Sequence, residues 1–171
     1  MQKKCAHVRC RFARGAIESR LSDGSNGVAL FARKKKRFVR LMIVEDEPLI
    51  AFDNERFLSD EGFTIVATLD RVEDAVALIQ GGGAIDMVLA DISLSDGSGI
   101  DVARAASAAG IAVLFVTGQC PAEAQTLADG CLGKPYNQRD LLLAIAAIEA
   151  THGGETPKRL PSGFTLFKTV T

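Results

Sequence analysis

From Leu41 onward the chain alternates short apolar runs with longer stretches of helical periodicity, and no other feature limits its fold so severely. Such repetition argues for βαβ units, because parallel neighbours need a crossover long enough to hold a helix. Strands are expected at 41–44, 64–68, 86–90, 112–116 and, with the weakest pattern, 130–133. Pro48 suits the first turn of a helix that carries Leu49, Ile50, Phe52, Phe57 and Leu58, and Gly62 ends it. Val72, Ala75, Val76 and Ile79 recur at helical spacing before Gly81-Gly82-Gly83. An alanine-rich helix over 100–109 closes at Gly110, and 121–129 is the shortest helical segment. Asn137 is placed to cap a last helix whose stripe is Leu141, Leu142, Ile145 and Ile148, with Gly153-Gly154 as its stop.

Right-handed crossovers throughout give an α/β fold: a doubly wound, five-stranded parallel sheet of flavodoxin-like order 2-1-3-4-5, spanning residues 40–151. Residues 1–39 read as a basic extension without steady periodicity. Residues 152–171 read as a C-terminal tail, and two prolines with mixed polarity argue against fixed structure after residue 155. Nothing after residue 151 has the length of an effector domain.

Two of the strands end in acid. Glu45 and Asp46 follow Leu41-Met42-Ile43-Val44, and Asp91 follows Met87-Val88-Leu89-Ala90. In the order 2-1-3-4-5 the first and third strands are neighbours at the switch point, where ligands bind beyond the carboxyl ends. Three carboxylates in one crevice repel by up to about 4 kcal/mol per pair at an effective dielectric of about 20, so the site calls for a cation. All-oxygen donors favour Mg²⁺, which binds one or two carboxylates together with water and phosphate oxygens. Thr117 ends the fourth strand and Lys134 follows the fifth, so a hydroxyl and an ammonium are expected to face the acids. That set of groups suits phosphoryl transfer to an aspartate.

Val44-Glu45-Asp46-Glu47, Asp91-Ile92-Ser93-Leu94 with Asp96-Gly97-Ser98-Gly99, Val116-Thr117-Gly118 and Lys134-Pro135, in this order and at strand ends, resemble the response-regulator receiver domain of two-component signalling. The resemblance covers residues 40–151. It implies that Asp91 accepts the phosphoryl group, that Glu45, Asp46, Asp91 and the Ser93 backbone carbonyl hold Mg²⁺, that Thr117 binds a phosphoryl oxygen and that Lys134 pairs with the phosphate. It also implies a cis Lys134–Pro135 bond, and a histidine kinase or histidine phosphotransferase as donor. Cys131 stands where many receivers place a switch Tyr or Phe. The run Phe115-Val116-Thr117-Gly118 is similar to a Phe-Ala-Thr-Gly-type motif of single-domain alphaproteobacterial receivers, which makes Phe115 and Cys131 the switch candidates. The implied activity is self-phosphorylation from phosphodonors and slow autodephosphorylation, with signalling through protein contacts or service as a phosphate sink.

Rival chemistries lack their residues. A flavodoxin-type FMN site needs a Ser/Thr/Gly phosphate loop after the first strand, where Glu45-Asp46-Glu47 stands instead. A haloacid-dehalogenase-like phosphatase needs a second Asp two residues after its nucleophile, where the chain has Ser93. A histidine phosphotransferase needs a helical His, and His7 and His152 both lie outside the expected core.

The net charge of -1 conceals asymmetry: residues 1–40 hold twelve Lys/Arg against Glu18 and Asp23, leaving eight basic and nineteen acidic groups for the rest. The basic arm admits a second reading, a nucleic-acid-associated regulator gated by the receiver. One Tyr and no Trp argue against stacking on single strands. Cys5, His7 and Cys10 supply three soft ligands without an evident fourth, and the four cysteines form no disulfide framework, as expected of a reducing cytoplasm. No apolar run has the length of a membrane span.

Overall fold

The computed structural model describes residues 37–168. The expected basic extension and the Cys5/His7/Cys10 group therefore fall almost wholly outside the described residues. Five main strands, β1 (Arg40–Val44), β2 (Thr64–Leu69), β3 (Met87–Ala90), β6 (Ala112–Thr117) and β7 (Gly130–Gly133), pair in parallel in the order β2-β1-β3-β6-β7. Counted among themselves, these are strands 2-1-3-4-5, the doubly wound sheet expected. Five helices connect and follow them: α1 (Pro48–Asp60), α2 (Val72–Gln80), α3 (Gly99–Ala108), α4 (Ala124–Leu127) and α5 (Gln138–His152). A two-stranded hairpin, β4 (Ser93–Leu94) with β5 (Gly97–Ser98), interrupts the path from β3 to α3.

The sheet separates two apolar layers, because alternate residues of a strand face opposite sides. On one face Leu41, Ile43, Leu89, Leu114 and Leu132 pack with Leu58 of α1 and Leu141, Ile145 and Ile148 of α5. On the other, Met42, Val88, Val113, Phe115 and Cys131 pack with Ala75 and Ile79 of α2 and with Val102, Ala103 and Ala106 of α3. The strands between these layers are buried on both sides, which is why they read as unbroken apolar runs.

One expectation changes. Residues after 155 do not trail away: β8 (Phe164–Leu166) pairs antiparallel with β7 and gives the sheet a sixth strand. Gly130 makes room for it, since a Cβ there would lie 2.6 Å from the Phe164 ring, and the run is too short for periodicity to reveal. Helix α1 does not bury its whole apolar set. Ala51, Asn54 and Leu58 form its inward face, while Leu49 and Phe52 are 80% and 60% exposed. Leu49 and Phe52 lie three residues apart on a different face, so they form a stripe of their own. At the near end of β1, Phe38 is buried and its N–H donates to the Glu149 carboxylate at 3.1 Å.

Candidate functional site

The registers of β1, β3 and β6 bring their ends to one level. Val44 pairs with Ala90 and Ala90 with Phe115, and the Asp91 N–H donates to the Val44 carbonyl at 2.9 Å. Glu45 and Asp91 thus emerge side by side from the carboxyl edge, both buried. The next pair does the same on the far side: Thr117 is opposite Gly133, and the Lys134 N–H donates to the Thr117 carbonyl at 2.8 Å. Lys134–Pro135 is cis, as expected.

Lys134 joins the two acids. Its ammonium donates to Asp91 Oδ2 at 2.6 Å and to Glu45 Oε2 at 2.8 Å, with Glu47 at 3.9 Å. The Ser93 N–H donates to Asp91 Oδ1 at 3.1 Å, and the Glu47 N–H to Glu45 Oε1 at 3.3 Å. Burial opposes ionisation of Asp91, yet Lys134, the Ser93 amide and the Thr117 hydroxyl outweigh it and hold the carboxyl below its ordinary range. Burial likewise works against the Lys134 charge, and its two carboxylates override that and raise its pKa. For Glu45 burial prevails over Lys134, and its pKa is raised. Asp91 is therefore a carboxylate at neutral pH with a cation at hydrogen-bond distance.

Asp46, partly exposed beside Glu45, has no ion pair among the described residues. No three His, Cys, Asp or Glu side chains among the described residues converge closely enough to grip a metal by themselves. Lys134 lies instead between the two buried acids. The donor set still fits a hard ion: Asp46 and Asp91 are oxygen donors at the mouth, and magnesium needs only one or two carboxylates beside carbonyl, water and phosphate oxygens. Thr117 is buried at the end of β6. Phe115 and Cys131 are paired neighbours on β6 and β7, buried on the α3 side. Burial pushes the Cys131 thiol up, with Cys120 adding to the effect.

Four supporting residues were not legible from strand ends alone. Gly99 opens α3 so close to Asp91 that a Cβ would meet the Asp91 carbonyl oxygen at 2.0 Å. Asp96 accepts the Val72 N–H at 3.1 Å, tying the β4–β5 hairpin to the start of α2. Asn54 and Tyr136 exchange hydrogen bonds at 2.9 and 3.0 Å, which fixes the ring that follows Pro135. The motif Asp96-Gly97-Ser98-Gly99 signalled the first two; nothing in sequence signalled the Asn54–Tyr136 pair.

A doubly wound sheet here presents a buried, lysine-bound aspartate at its switch point. The family model for the response regulator receiver domain matches residues 41–146, and the chain belongs to that family. It is 29% identical over 135 residues to the cell cycle transcriptional regulator CtrA of Caulobacter vibrioides, covering 73% of this chain and 56% of that protein. It is 32% identical over 118 residues to the transcriptional regulatory protein DltR of Streptococcus agalactiae, covering 63% of this chain and 50% of that one. The chain spans about half the length of these relatives. A response regulator receiver protein from Sinorhizobium medicae superposes with a TM-score of 0.57 at 25% identity, over 66% of this chain and 94% of that one. No helix among the described residues is long and apolar enough to cross a membrane.

Proposed function

We infer that this receiver accepts a phosphoryl group on Asp91 from the phosphohistidine of a histidine kinase or histidine phosphotransferase. The observation that carries this is the buried Asp91 held at 2.6 Å from the Lys134 ammonium. One Asp91 carboxylate oxygen forms the new O–P bond as the histidine N–P bond breaks, and the imidazole leaves with the electron pair. Lys134 offsets the charge gathering on the phosphoryl oxygens, and the Thr117 hydroxyl donates to one of them. The acyl phosphate later loses its phosphoryl group to water and Asp91 is restored.

Glu45, Asp46, Asp91 and the Ser93 carbonyl are the groups that would hold Mg²⁺, with Glu45 engaged by Lys134 at the rear of the site. Bound there, Mg²⁺ supplies neutralisation of the phosphoryl oxygens. The exposed Leu49 and Phe52 of α1 support a docking face for the donor's histidine-bearing helix. A groove between α1 and the loop after β7, lined by Ile50, Asn54, Lys134, Pro135 and Tyr136, reaches from that helix to the site. Output runs through protein contacts or through competition for phosphoryl groups.

The test is intact-mass measurement after incubation with acetyl phosphate and Mg²⁺, compared with Asp91→Asn. Gain of one phosphoryl group by the wild type and none by the variant is expected. A wild-type chain that gains none, with the small donor and with a phosphorylated donor protein alike, would contradict the reading.

A further inference from the structure

Strand β8 is fitted to the sheet edge by more than backbone pairing. Its register sets Phe164 against Leu132, Thr165 against Cys131 and Leu166 against Gly130. Phe164 is buried in the space that Gly130 leaves by having no side chain. Just past the strand, the Phe167 N–H donates to the Asp129 carbonyl at 2.8 Å. The Lys168 ammonium lies 3.0 Å from Asp129 Oδ1, which also meets His152 Nε2 at 2.8 Å. The other Asp129 oxygen accepts the Val113 N–H at 2.8 Å. This carboxylate is only 1% exposed, so one buried charge fastens the C-terminal segment to β6 and to the end of α5.

The same segment reaches the region that follows Thr117. The Phe167 side chain is partly buried against the core layer to which Phe115, Ala124, Ala128 and Cys131 belong, and Leu127 packs on the same layer. Ala124, Leu127 and Ala128 belong to the single stretch that runs from Thr117 back to β7. Cys131 is small, and at the end of this stretch Asp129 accepts the backbone N–H of the bulkier Phe167. A pull on Thr117 toward a new phosphoryl group draws on the stretch, and through it on the footing of Phe167.

We propose that residues 164–168 are the output element of this receiver, a strand released from the β7 edge when Asp91 carries a phosphoryl group, with Phe167 as the positioning residue that reads the state of the 118–129 stretch. The assignment rests on the phosphoacceptor reading of Asp91. Phosphorylation and strand docking are then linked reciprocally, because each favours a different arrangement of that stretch. Release bares the β7 edge, whose unpaired N–H and C=O groups would accept an extended segment of a partner.

Hydrogen exchange read by mass spectrometry on the full chain tests this, with and without acetyl phosphate and Mg²⁺. Loading is expected to speed exchange of the 164–168 amides about tenfold while the interior of α5 stays protected. Phe167→Ala is expected to give the fast rate in both conditions, Phe167→Leu to restore part of the difference, and Asp91→Asn to stay slow throughout. Unchanged 164–168 exchange in a wild-type chain shown by mass to be phosphorylated would overturn the proposal, as would a wild-type response in Phe167→Ala. A chain that gains no phosphoryl mass overturns the function and this assignment together, and the mass reading separates that failure from the others.

Discussion

Lys134 offsets two buried carboxylates at once, and its removal should be felt in chemistry before it is felt in folding. Lys134→Met leaves Glu45 and Asp91 facing each other without their shared cation. Labelling by acetyl phosphate is expected to slow by about 100-fold, measured as initial rate at fixed Mg²⁺. At the opposite end of β1, Asp86 accepts the Val39 and Arg40 N–H groups at 2.9 and 2.8 Å and also the Arg40 guanidinium. The Arg40 hydrogen bond holds the Asp86 carboxyl at about 2, below its ordinary 3.8. A depressed carboxyl contributes stability above its unfolded value and loses it as pH falls toward the folded one. Asp86→Asn should therefore cost about 1 kcal/mol in urea unfolding at pH 7, Arg40 being half-exposed and screened, and the difference should close between 3.8 and about 2.

At the scale of elements, the junction from β3 to α3 decides whether Asp91 is held in place. Gly99 starts α3 against the Asp91 backbone, and the Ser98 hydroxyl caps the helix by accepting the Ile100 N–H at 3.2 Å. Gly99→Ala forces these apart. An unfolding free energy lower by about 1–3 kcal/mol and loss of acetyl-phosphate labelling are expected, from urea titration and intact mass respectively. The five parallel strands were legible because burial on both faces removes polar residues from them, and the end of each run then marked the site. Even the weak fifth strand fell at Gly130–Gly133 as expected. The β4–β5 hairpin was not legible, since two residues per strand carry no period. The exposure of Leu49 and Phe52 was not legible for a different reason: apolar content shows that a helix has an apolar face, not that every such residue lies on it.

Over the whole molecule, the sheet carries the Glu45–Lys134–Asp91 cluster at its carboxyl edge and a buried anchor at the other. Asp129, with His152 and Lys168, joins β6, α5 and the C-terminal segment. Asp129→Ala leaves the buried Val113 N–H without its carboxylate, and a loss of about 3 kcal/mol in unfolding free energy is expected by denaturant titration. Sequence could not announce this anchor, because an aspartate before a short strand reads as a solvated turn residue until the chain returns with Lys168 some forty positions later. Site residues showed the opposite behaviour. Glu45, Asp91, Thr117 and Lys134 are distant in sequence, but one topology brings all the strand ends together, so the order of strands was enough to place them. The measurement that bears most directly on this account is intact mass after acetyl phosphate and Mg²⁺, with peptide mapping of the modified residue. One phosphoryl group on Asp91, absent from Asp91→Asn, is the predicted result; a wild-type chain that stays unmodified with every donor, or is modified elsewhere, would contradict it.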